Sequence, residues 1–373
     1  MLGFLMQLTP AAQAPLATAS FALYEAVPAA TDSILPVGFH KSKPQFQFRS
    51  ALVSITALTE SRFPTKAILG FSKKNRPVEV YYFPGSSAKK ALVIGGVHGS
   101  ELSAIEVVKN LVDELSNGVV PYYSVIVVPC LFPDNAAQAV LQANEIGSTK
   151  NIGRYSGENM PDPNRQMPPL GKAFNEAQPF DFVNREIERE NQMLLQLIQD
   201  FNPDRIVNVH AIRSTGKAGI YADPRTDCQG LALGYETDSL LALSMAHYIH
   251  QQGGNVRGNA VDSTPTTLYS SDPAIAPKGA PQKRNLTGSY LPNNRGTGVS
   301  LGAWASTAVC NEAQQSTRKA IRVITIEFPG NKRPEDYTDT ESREHQKQLK
   351  LYTTAISQIF LGEHYVEPDN NNP

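Results

Sequence analysis

Long apolar stretches and net charge are two things of which this sequence has little. No run approaches the ~18 apolar residues that a membrane-spanning helix requires, so no span is predicted. The 34 basic and 35 acidic residues leave a formal net charge of −1, which gives no general attraction to nucleic acid or to an anionic membrane. The sequence therefore predicts no nucleic-acid or membrane partner, and it leaves the oligomeric state open.

Cysteine is also scarce. Cys130, Cys228 and Cys310 are odd in number and lack the spacing of a metal site, so they are interpreted as ordinary thiols of a reducing compartment. Residues 1–8 are apolar and Ala12-Gln-Ala14 resembles a cleavage site, but no basic segment precedes them and the apolar part is short for a signal peptide. A cytoplasmic location is predicted, with export by a weak N-terminal signal, or an extracellular protein with a free thiol, as the alternative.

Length and composition allow a large core. With 373 residues and 41% hydrophobic content, one α/β domain with a modest extension fits better than two equal domains. Residues 1–45 are rich in Ala, Pro and Thr and are predicted to form an N-terminal extension. The main domain is predicted over residues 46–365, and residues 366–373 form a polar tail.

Three short apolar runs each lead to a chemically reactive side chain. The first, residues 91–97, precedes His98 and Glu101. The second ends at His210 and the third at Glu327. Such runs, rich in β-branched residues, are typical of buried strands, and open α/β sheets place ligands at the carboxyl ends of their strands. We therefore expect these side chains to face one cleft.

Helical spacing of apolar residues separates these strands. It predicts helices over residues 101–115, 183–201, 231–250 and 341–360. Residues 65–85 are predicted to form a pair of strands. Strands that alternate with helices in this way indicate an α/β fold.

Two histidines and a carboxylate are the usual ligand set of a catalytic zinc, which keeps one position for water. A lone His-x-x-Glu can occur at the start of any surface helix, and a histidine that closes a strand can simply be a core residue. The conjunction of His98, Glu101 and His210 favours a metal site over these interpretations. A carboxylate such as Glu327 would be costly to bury unless a cation or a metal-bound water lay nearby. One Zn²⁺ per chain is predicted, although other divalent ions suit the same ligands.

On these residues the chain resembles the zinc carboxypeptidase family, the carboxypeptidase A-like metallopeptidases, over roughly residues 66–360. Phe132-Pro-Asp-Asn135 resembles the family's Asn-Pro-Asp-Gly turn, although its first and last residues differ. Arg154 and Asp162-Pro-Asn-Arg165 are similar to the family's arginine and its Asp-x-Asn-Arg element. The resemblance implies a mixed, twisted β-sheet flanked by helices on both faces.

The resemblance also implies a role for each polar residue. Glu327 would be the general base that takes a proton from a zinc-activated water and passes it to the leaving amine. Arg154 would polarise the scissile carbonyl, because a fixed cation stabilises the oxyanion as it develops. Asn164 and Arg165 would bind the substrate's terminal carboxylate, for which a guanidinium offers a planar fork of donors.

A narrower resemblance lies in residues 296–304 and 322–330. These are similar to the Pro-Gly-Ser-x-Gly-x-Trp segment and the Glu-Phe-Pro strand of bacterial murein peptide amidases, which cleave between γ-D-glutamate and diaminopimelate. Here the segment is one residue longer and lacks the proline. Since the corresponding loop of digestive carboxypeptidases selects the substrate side chain, Ser300 and Trp304 are predicted to contact substrate.

The family also places a mobile tyrosine over the substrate. Tyr290 is the candidate because it precedes the Gly/Ser/Trp segment, and Tyr269 is the alternative. Spacing does not decide between Tyr290 and Tyr269, and either could be an ordinary loop tyrosine.

Three functions follow from the sequence. The first is a zinc-dependent metallopeptidase that hydrolyses a C-terminal peptide or amide bond of a substrate with a free carboxylate, on murein peptides. The second is a deacylase of N-acyl amino acids, of the aspartoacylase or succinylglutamate desuccinylase type, which the longer chain and the Trp-bearing loop disfavour. The third is a non-catalytic metal- or peptide-binding protein, which would not need the base Glu327.

Overall fold

An eight-stranded mixed β-sheet organises the chain. The computed structural model describes residues 47–52, 54–156, 161–233, 235–259, 261, 298–313, 315–330 and 337–363. The sheet contains β1 (Gln47–Leu52), β2 (Thr65–Phe71), β3 (Pro77–Phe83), β4 (Lys90–Ile94), β5 (Ser124–Val128), β6 (Arg205–Ile212), β7 (Gly219–Asp223) and β12 (Arg322–Pro329). Two short ribbons pair β8 (Arg225–Thr226) with β9 (Ala232–Leu233), and β10 (Val309–Cys310) with β11 (Ser316–Arg318).

Helices connect most of these strands. They are α1 (Ile55–Thr59), α2 (Leu102–Ser116), α3 (Pro133–Ala139), α4 (Arg189–Phe201), α5 (Tyr235–Gln251), α6 (Leu301–Ala305) and α7 (Asp339–Thr354). A π-helical turn, Ala355–Phe360, extends α7 to the end of the helix that periodicity predicts. The predicted strand pair at residues 65–85 is confirmed as β2 and β3.

The strand order is β1-β2-β3-β5-β4-β6-β12-β7. The strands β5, β4, β6 and β12 run parallel, whereas β3 and β7 pair antiparallel with their neighbours. The predicted mixed sheet is therefore confirmed. Because β4, β6 and β12 are parallel neighbours, the three reactive strand ends predicted from the sequence lie at one edge.

Hydrophobic clusters cover both faces of this sheet. Alternate residues of β4 face opposite ways, so Val93 joins one cluster and Ile94 the other. The first cluster includes residues of α2, α5 and α7, and the second residues of α1, α4 and α6. The prediction of helices on both faces is confirmed, and it explains why the central strands are apolar at successive positions.

The helix predicted over residues 183–201 begins later, at Arg189. Glu188 is extended, with φ −60° and ψ 147°, and residues 183–188 lead into the helix without being part of it. Asn202 ends the helix in a left-handed conformation, φ 48°, and its backbone N–H donates to the Ile198 carbonyl. The apolar periodicity found the helix, but it did not mark the residue at which helical backbone begins.

The interpretation of all three cysteines as thiols is wrong. Cys228 and Cys310 form a disulfide, with their Cα atoms 5.9 Å apart, although 82 residues separate them in sequence. Cys130 is the free cysteine. The disulfide links two segments, the one directly after β8 and the strand β10.

The terminal divisions of the chain stay predictions. Residues 1–46 and 364–373 lie outside the described residues, so the extension over 1–45 and the tail over 366–373 are untested. Among the helices that the structure describes, none combines the length and the apolar character needed to cross a bilayer.

Candidate metal centre

Three buried side chains converge where β4 and β6 end. His98 lies in the turn after β4, Glu101 directly precedes α2, and His210 lies near the end of β6. One potential ligand atom from each falls within 4.8 Å of the others. The Glu101 carboxylate joins the two rings, since its Oε1 is 3.0 Å from Nδ1 of His98 and its Oε2 is 2.8 Å from Nδ1 of His210. The structure thus brings the three predicted metal ligands together.

The turn that carries His98 fits closely against α3. A Cβ atom on Gly99 would come within 2.3 Å of the Asn135 carbonyl carbon, so only glycine allows this approach. The Ala211 backbone N–H also donates to Glu101 Oε2, at 3.2 Å. The backbone of α3 and the backbone of β6 therefore both pack against the cluster.

The second nitrogen of His98 has its own partner. Its Nε2 atom lies 2.7 Å from Oδ1 of Asp162, which is fully buried. The same carboxylate oxygen accepts the Asn164 backbone N–H at 2.8 Å. A carboxylate on Nε2 fixes the ring orientation and directs Nδ1 toward Glu101, the side on which a metal would bind. The sequence marked Asp162 only as part of a motif, so this contact was missed.

Arg154 lies against the same cluster. Its Nη1 atom is 2.5 Å from Glu101 Oε1, and its side chain is only 2% exposed. Its Nε atom is buried and has no hydrogen-bond partner within the described part of the chain. Arg154 is therefore beside the candidate ligands, and its predicted role in polarising a carbonyl stays a prediction.

These contacts set the charge of the cluster. Burial alone would raise the pKa of Glu101, but the neighbouring imidazoles and the Arg154 guanidinium hold that pKa well below its usual range. Burial would lower the pKa of His210, yet the Glu101 carboxylate raises it on balance. Burial likewise opposes ionisation of Asp162, and His98 outweighs it and lowers the pKa of that carboxyl. These contacts therefore favour the ionised form of both carboxylates, which a metal ligand and its supporting partner require.

Glu327 lies next to His210 across the sheet. In the parallel pairing of β12 with β6 the two residues are direct partners, so their side chains leave the same face. The charge of Glu327 contributes to the raised pKa of His210. Glu327 is half-buried, which leaves part of it accessible at the strand end. This is a suitable place for a base beside the cluster.

Asn164 and Arg165 follow Asp162 in a short turn. The Nδ2 atom of Asn164 is 3.4 Å from Nε2 of His210, and its Oδ1 atom accepts the Leu301 backbone N–H at 2.9 Å. The guanidinium of Arg165 donates to the Asn164 carbonyl at 2.6 Å. Both side chains are half-buried beside the cluster, where the predicted contact with a carboxylate would be made.

The predicted substrate contacts of α6 have other partners. The Ser300 hydroxyl caps the helix by accepting the Ala303 N–H at 3.2 Å. Trp304 is fully buried and its indole N–H donates to the Lys172 carbonyl at 2.9 Å. These contacts are those of a packed helix, so substrate contact by either residue stays a prediction. Tyr290 and the alternative Tyr269 lie outside the described residues.

The donor set fits a divalent metal. Two imidazoles and one ionised carboxylate, all buried, match the ligands of a catalytic zinc site, and the Asp162 contact on His98 matches the support that such a ligand needs. The chemistry of the set does not choose zinc over other divalent ions.

Comparison with known proteins adds similarity at the level of structure. No family model and no curated protein sequence matches the chain. Murein-tripeptide amidase MpaA from Escherichia coli O157 is 17% identical, with a TM-score of 0.39, over 82% of this chain and 97% of its own. The carboxypeptidase A of Helicoverpa armigera is 12% identical, with a TM-score of 0.45, over 79% of this chain and 68% of its own.

A third solved structure, a metallo-carboxypeptidase from Pseudomonas aeruginosa, is 15% identical, with a TM-score of 0.40. That match covers 77% of this chain and 62% of the other, so the chain spans less than two thirds of this neighbour's length. Similarity at this level carries no argument about activity, which depends on the chain's own residues. The solved structures similar to this chain are carboxypeptidase A-like metallopeptidases, as the sequence motifs predict.

Proposed function

We propose that this protein is a metal-dependent hydrolase that cleaves a peptide or amide bond next to a free carboxylate. The observation that carries the proposal is the buried cluster of His98, Glu101 and His210 with Glu327 paired to His210 across two adjacent strands. A binding protein would need the three ligands but not the additional carboxylate beside them.

Zn²⁺ held by His98, Glu101 and His210 would supply Lewis acidity to a water and to the substrate carbonyl. Glu327 accepts a proton from the attacking water at its carboxylate and returns it to the leaving amine. Arg154 presents a guanidinium to the oxygen on which negative charge develops. Its contact with the Glu101 carboxylate holds it at the cluster.

Asn164 and Arg165 bind the terminal carboxylate of the substrate. An amide N–H₂ and a guanidinium together offer several donors to two carboxylate oxygens. Binding this remote group positions the scissile bond relative to Glu327. The short turn that joins both residues to Asp162 fixes their distance from the cluster.

The substrate class is the finer part of the proposal. The residues before and within α6 resemble the segment of murein peptide amidases, which supports cleavage between γ-D-glutamate and diaminopimelate. Burial of Trp304 removes one reason for rejecting the N-acyl amino acid deacylase, because an indole packed inside the domain does not distinguish the two substrates. The test must therefore include acylated amino acids.

The disulfide bears on where the protein acts. Disulfides persist mainly in oxidising compartments, so Cys228–Cys310 disfavours the cytoplasmic location that the sequence predicts. The alternative of export is better supported by this bond. Thiol counting on protein taken directly from cells, quenched with an alkylating reagent, would find one free thiol for an exported protein and three for a cytoplasmic one.

The experiment is a digest of the murein tripeptide L-Ala-γ-D-Glu-diaminopimelate by zinc-loaded protein, followed by mass analysis. Blocked L-dipeptides and N-acyl amino acids are tested in parallel, with Glu327→Gln as the matched control. Release of diaminopimelate by the wild type but not by Glu327→Gln supports the murein peptide amidase function. Cleavage of only the other substrates keeps the hydrolase and changes its substrate, and no cleavage of any of them contradicts the proposal.

A further inference from the structure

The orientation of the Asn164 amide depends on a contact with α6. A backbone N–H can donate only to the amide oxygen, so the 2.9 Å contact between Leu301 N and Asn164 Oδ1 settles which end of the amide faces which way. The Nδ2 end is left on the side of His210, 3.4 Å from its Nε2 atom. If Leu301 moved, the contact with His210 alone would not keep the Nδ2 end of the Asn164 amide directed toward the cluster.

Helix α6 cannot hold Leu301 by itself. It has five residues, far fewer than a helix needs to be stable alone. Its first turn is capped by Ser300. Its last carbonyls accept from beyond the helix, Trp304 from the Thr307 N–H at 3.2 Å and Ala305 from the Ile321 N–H at 3.0 Å, and Arg318 donates to both. The position of Leu301 therefore depends on what binds the far end of the helix as well as on the packing of its own buried side chain.

Arg318 binds that end. Its Nη2 atom donates to the carbonyls of Trp304, at 2.9 Å, and Thr307, at 2.8 Å. Its guanidinium carbon lies 4.1 Å from the centre of the Trp304 ring, so the cation also covers the indole face. Arg318 comes from β11, and it links that strand to a helix 14 residues earlier in the chain.

The cost of burying Arg318 indicates that its contacts matter. Burial lowers the pKa of its guanidinium to about 9. Its Nε and Nη1 atoms are buried and have no hydrogen-bond partner among the residues that the structure describes. An apolar side chain in the same place would avoid this cost, but it could neither donate to the α6 carbonyls nor place a cation over the indole.

We propose that Arg318 is a positioning residue, which holds α6 so that the Leu301 N–H keeps the Asn164 amide donor directed at the substrate carboxylate. The inference rests on the proposed function, in which Asn164 binds that carboxylate. It predicts that Arg318 matters for substrates with a free carboxylate and not for hydrolysis in general.

The test compares Arg318→Met with the wild type on two forms of one cleaved peptide, the C-terminal acid and the C-terminal amide. For the acid, KM should rise about tenfold, the equivalent of one hydrogen bond to a charged group, while kcat stays within about twofold. The amide should change by less than about twofold in kcat/KM, because it offers no carboxylate to Asn164. Arg318→Lys, which keeps a cation and donors, should give a KM for the acid between those of the wild type and Arg318→Met.

Arg205→Met is the matched control. Arg205 is a buried arginine that, like Arg318, covers an aromatic ring, at 3.9 Å from the centre of Tyr123, and it donates to the Phe360 carbonyl at 2.7 Å. It lies at the start of β6, at the opposite end of the strand from His210. This variant should lose stability without a change in the acid-to-amide ratio.

A second readout does not use activity. Hydrogen exchange at the Leu301 amide should accelerate in Arg318→Met, in protein that remains folded by circular dichroism, and should stay slow in Arg205→Met. An unchanged acid-to-amide ratio with a protected Leu301 amide overturns the inference, as does an equal change of ratio in Arg205→Met. If the wild type shows no preference for the acid, the proposed function fails, and exchange at Leu301 still decides whether Arg318 holds α6.

Discussion

At the scale of single residues, the centre depends on Asp162 as well as on the ligands. Its carboxylate holds Nε2 of His98 at 2.7 Å and so turns Nδ1 toward Glu101. Asp162→Asn keeps the shape but offers an uncharged oxygen or an amide donor to that nitrogen. We expect zinc affinity to fall by about tenfold to a hundredfold, the usual effect of losing such a partner.

Competition with a chromophoric chelator measures this affinity directly. Asp181→Asn is the control, because Asp181 is a buried carboxylate that pairs with Arg185 and has no contact with the cluster. Equal zinc affinity in Asp162→Asn and the wild type would contradict the assigned role.

Glu188 makes the pH dependence of stability testable away from the cluster. It borders a cavity of about 410 Å³, and its carboxylate accepts the Ser156 hydroxyl at 2.8 Å. Burial, with a smaller contribution from the charge of Glu190, raises the pKa of Glu188 from 4.5 to about 7, against the opposing effects of Ser156 and Lys73.

The folded state thus binds the Glu188 proton more tightly than the unfolded chain does. Stability from this group is present below about pH 4.5 and is lost as the pH rises to about 7. Glu188→Gln, which needs no proton to be neutral, should gain on the order of 1–3 kcal/mol relative to wild type between pH 5 and pH 8. Urea unfolding at pH 5 and pH 8 measures the difference in stability between Glu188→Gln and the wild type. Glu186, an exposed carboxylate nearby, provides the control Glu186→Gln. A pH-independent difference for Glu188→Gln would contradict the raised pKa.

At the scale of elements, the disulfide joins two short ribbons that flank α6. Cys228 follows β8, whose Thr226 exchanges backbone hydrogen bonds with Ser306 and Ala308 just beyond the helix. Cys310 ends β10. The covalent bond and these backbone contacts hold the same two segments together.

Removing the bond should lower stability. Cys228→Ser combined with Cys310→Ser is expected to cost about 2–4 kcal/mol, because the unfolded chain is no longer cross-linked. Thermal unfolding of the variant and of Cys130→Ser, which removes only the free thiol, measures the effect. A double variant as stable as Cys130→Ser would show that the bond contributes nothing.

Elements with strong apolar periodicity were predictable, and their ends were less so. Helix α2 was predicted over residues 101–115 and lies at 102–116, because its buried positions recur every three to four residues. Helix α4 was predicted from residue 183, six residues too early, since a turn with Asn184 at φ 64° and an extended Glu188 precede it, with Ile187 at a suitable apolar position. Periodicity reports which side chains are buried, and it does not report the backbone angles that begin a helix.

Contacts between distant segments account for what the sequence did not predict. Asp162 is 64 residues from His98, and Cys228 is 82 from Cys310, with no local pattern that links either pair. Trp304 was predicted to contact substrate because its segment resembles that of murein peptide amidases, and no local pattern indicated that Lys172 and Arg318 would contact it. Pairings of this kind are set by the tertiary fold.

At the scale of the whole molecule, the sheet order explains the site. The parallel strands β4, β6 and β12 are neighbours, so residues that are 112 and 117 positions apart in sequence, His98 to His210 and His210 to Glu327, meet at one edge. Apolar clusters on both faces hold these strands rigidly. The sequence predicted this arrangement correctly, because each reactive residue directly follows or ends an apolar run.

The measurement that tests the central claim most directly combines metal content with turnover for the wild type and Glu327→Gln. After zinc loading and removal of free metal, elemental analysis should find one zinc per chain in both proteins. On a substrate cleaved by the wild type, Glu327→Gln should lose about a thousandfold or more in kcat, since a general base contributes about 10²–10⁴. Failure of the wild type to retain zinc, or full activity in Glu327→Gln, would contradict the account.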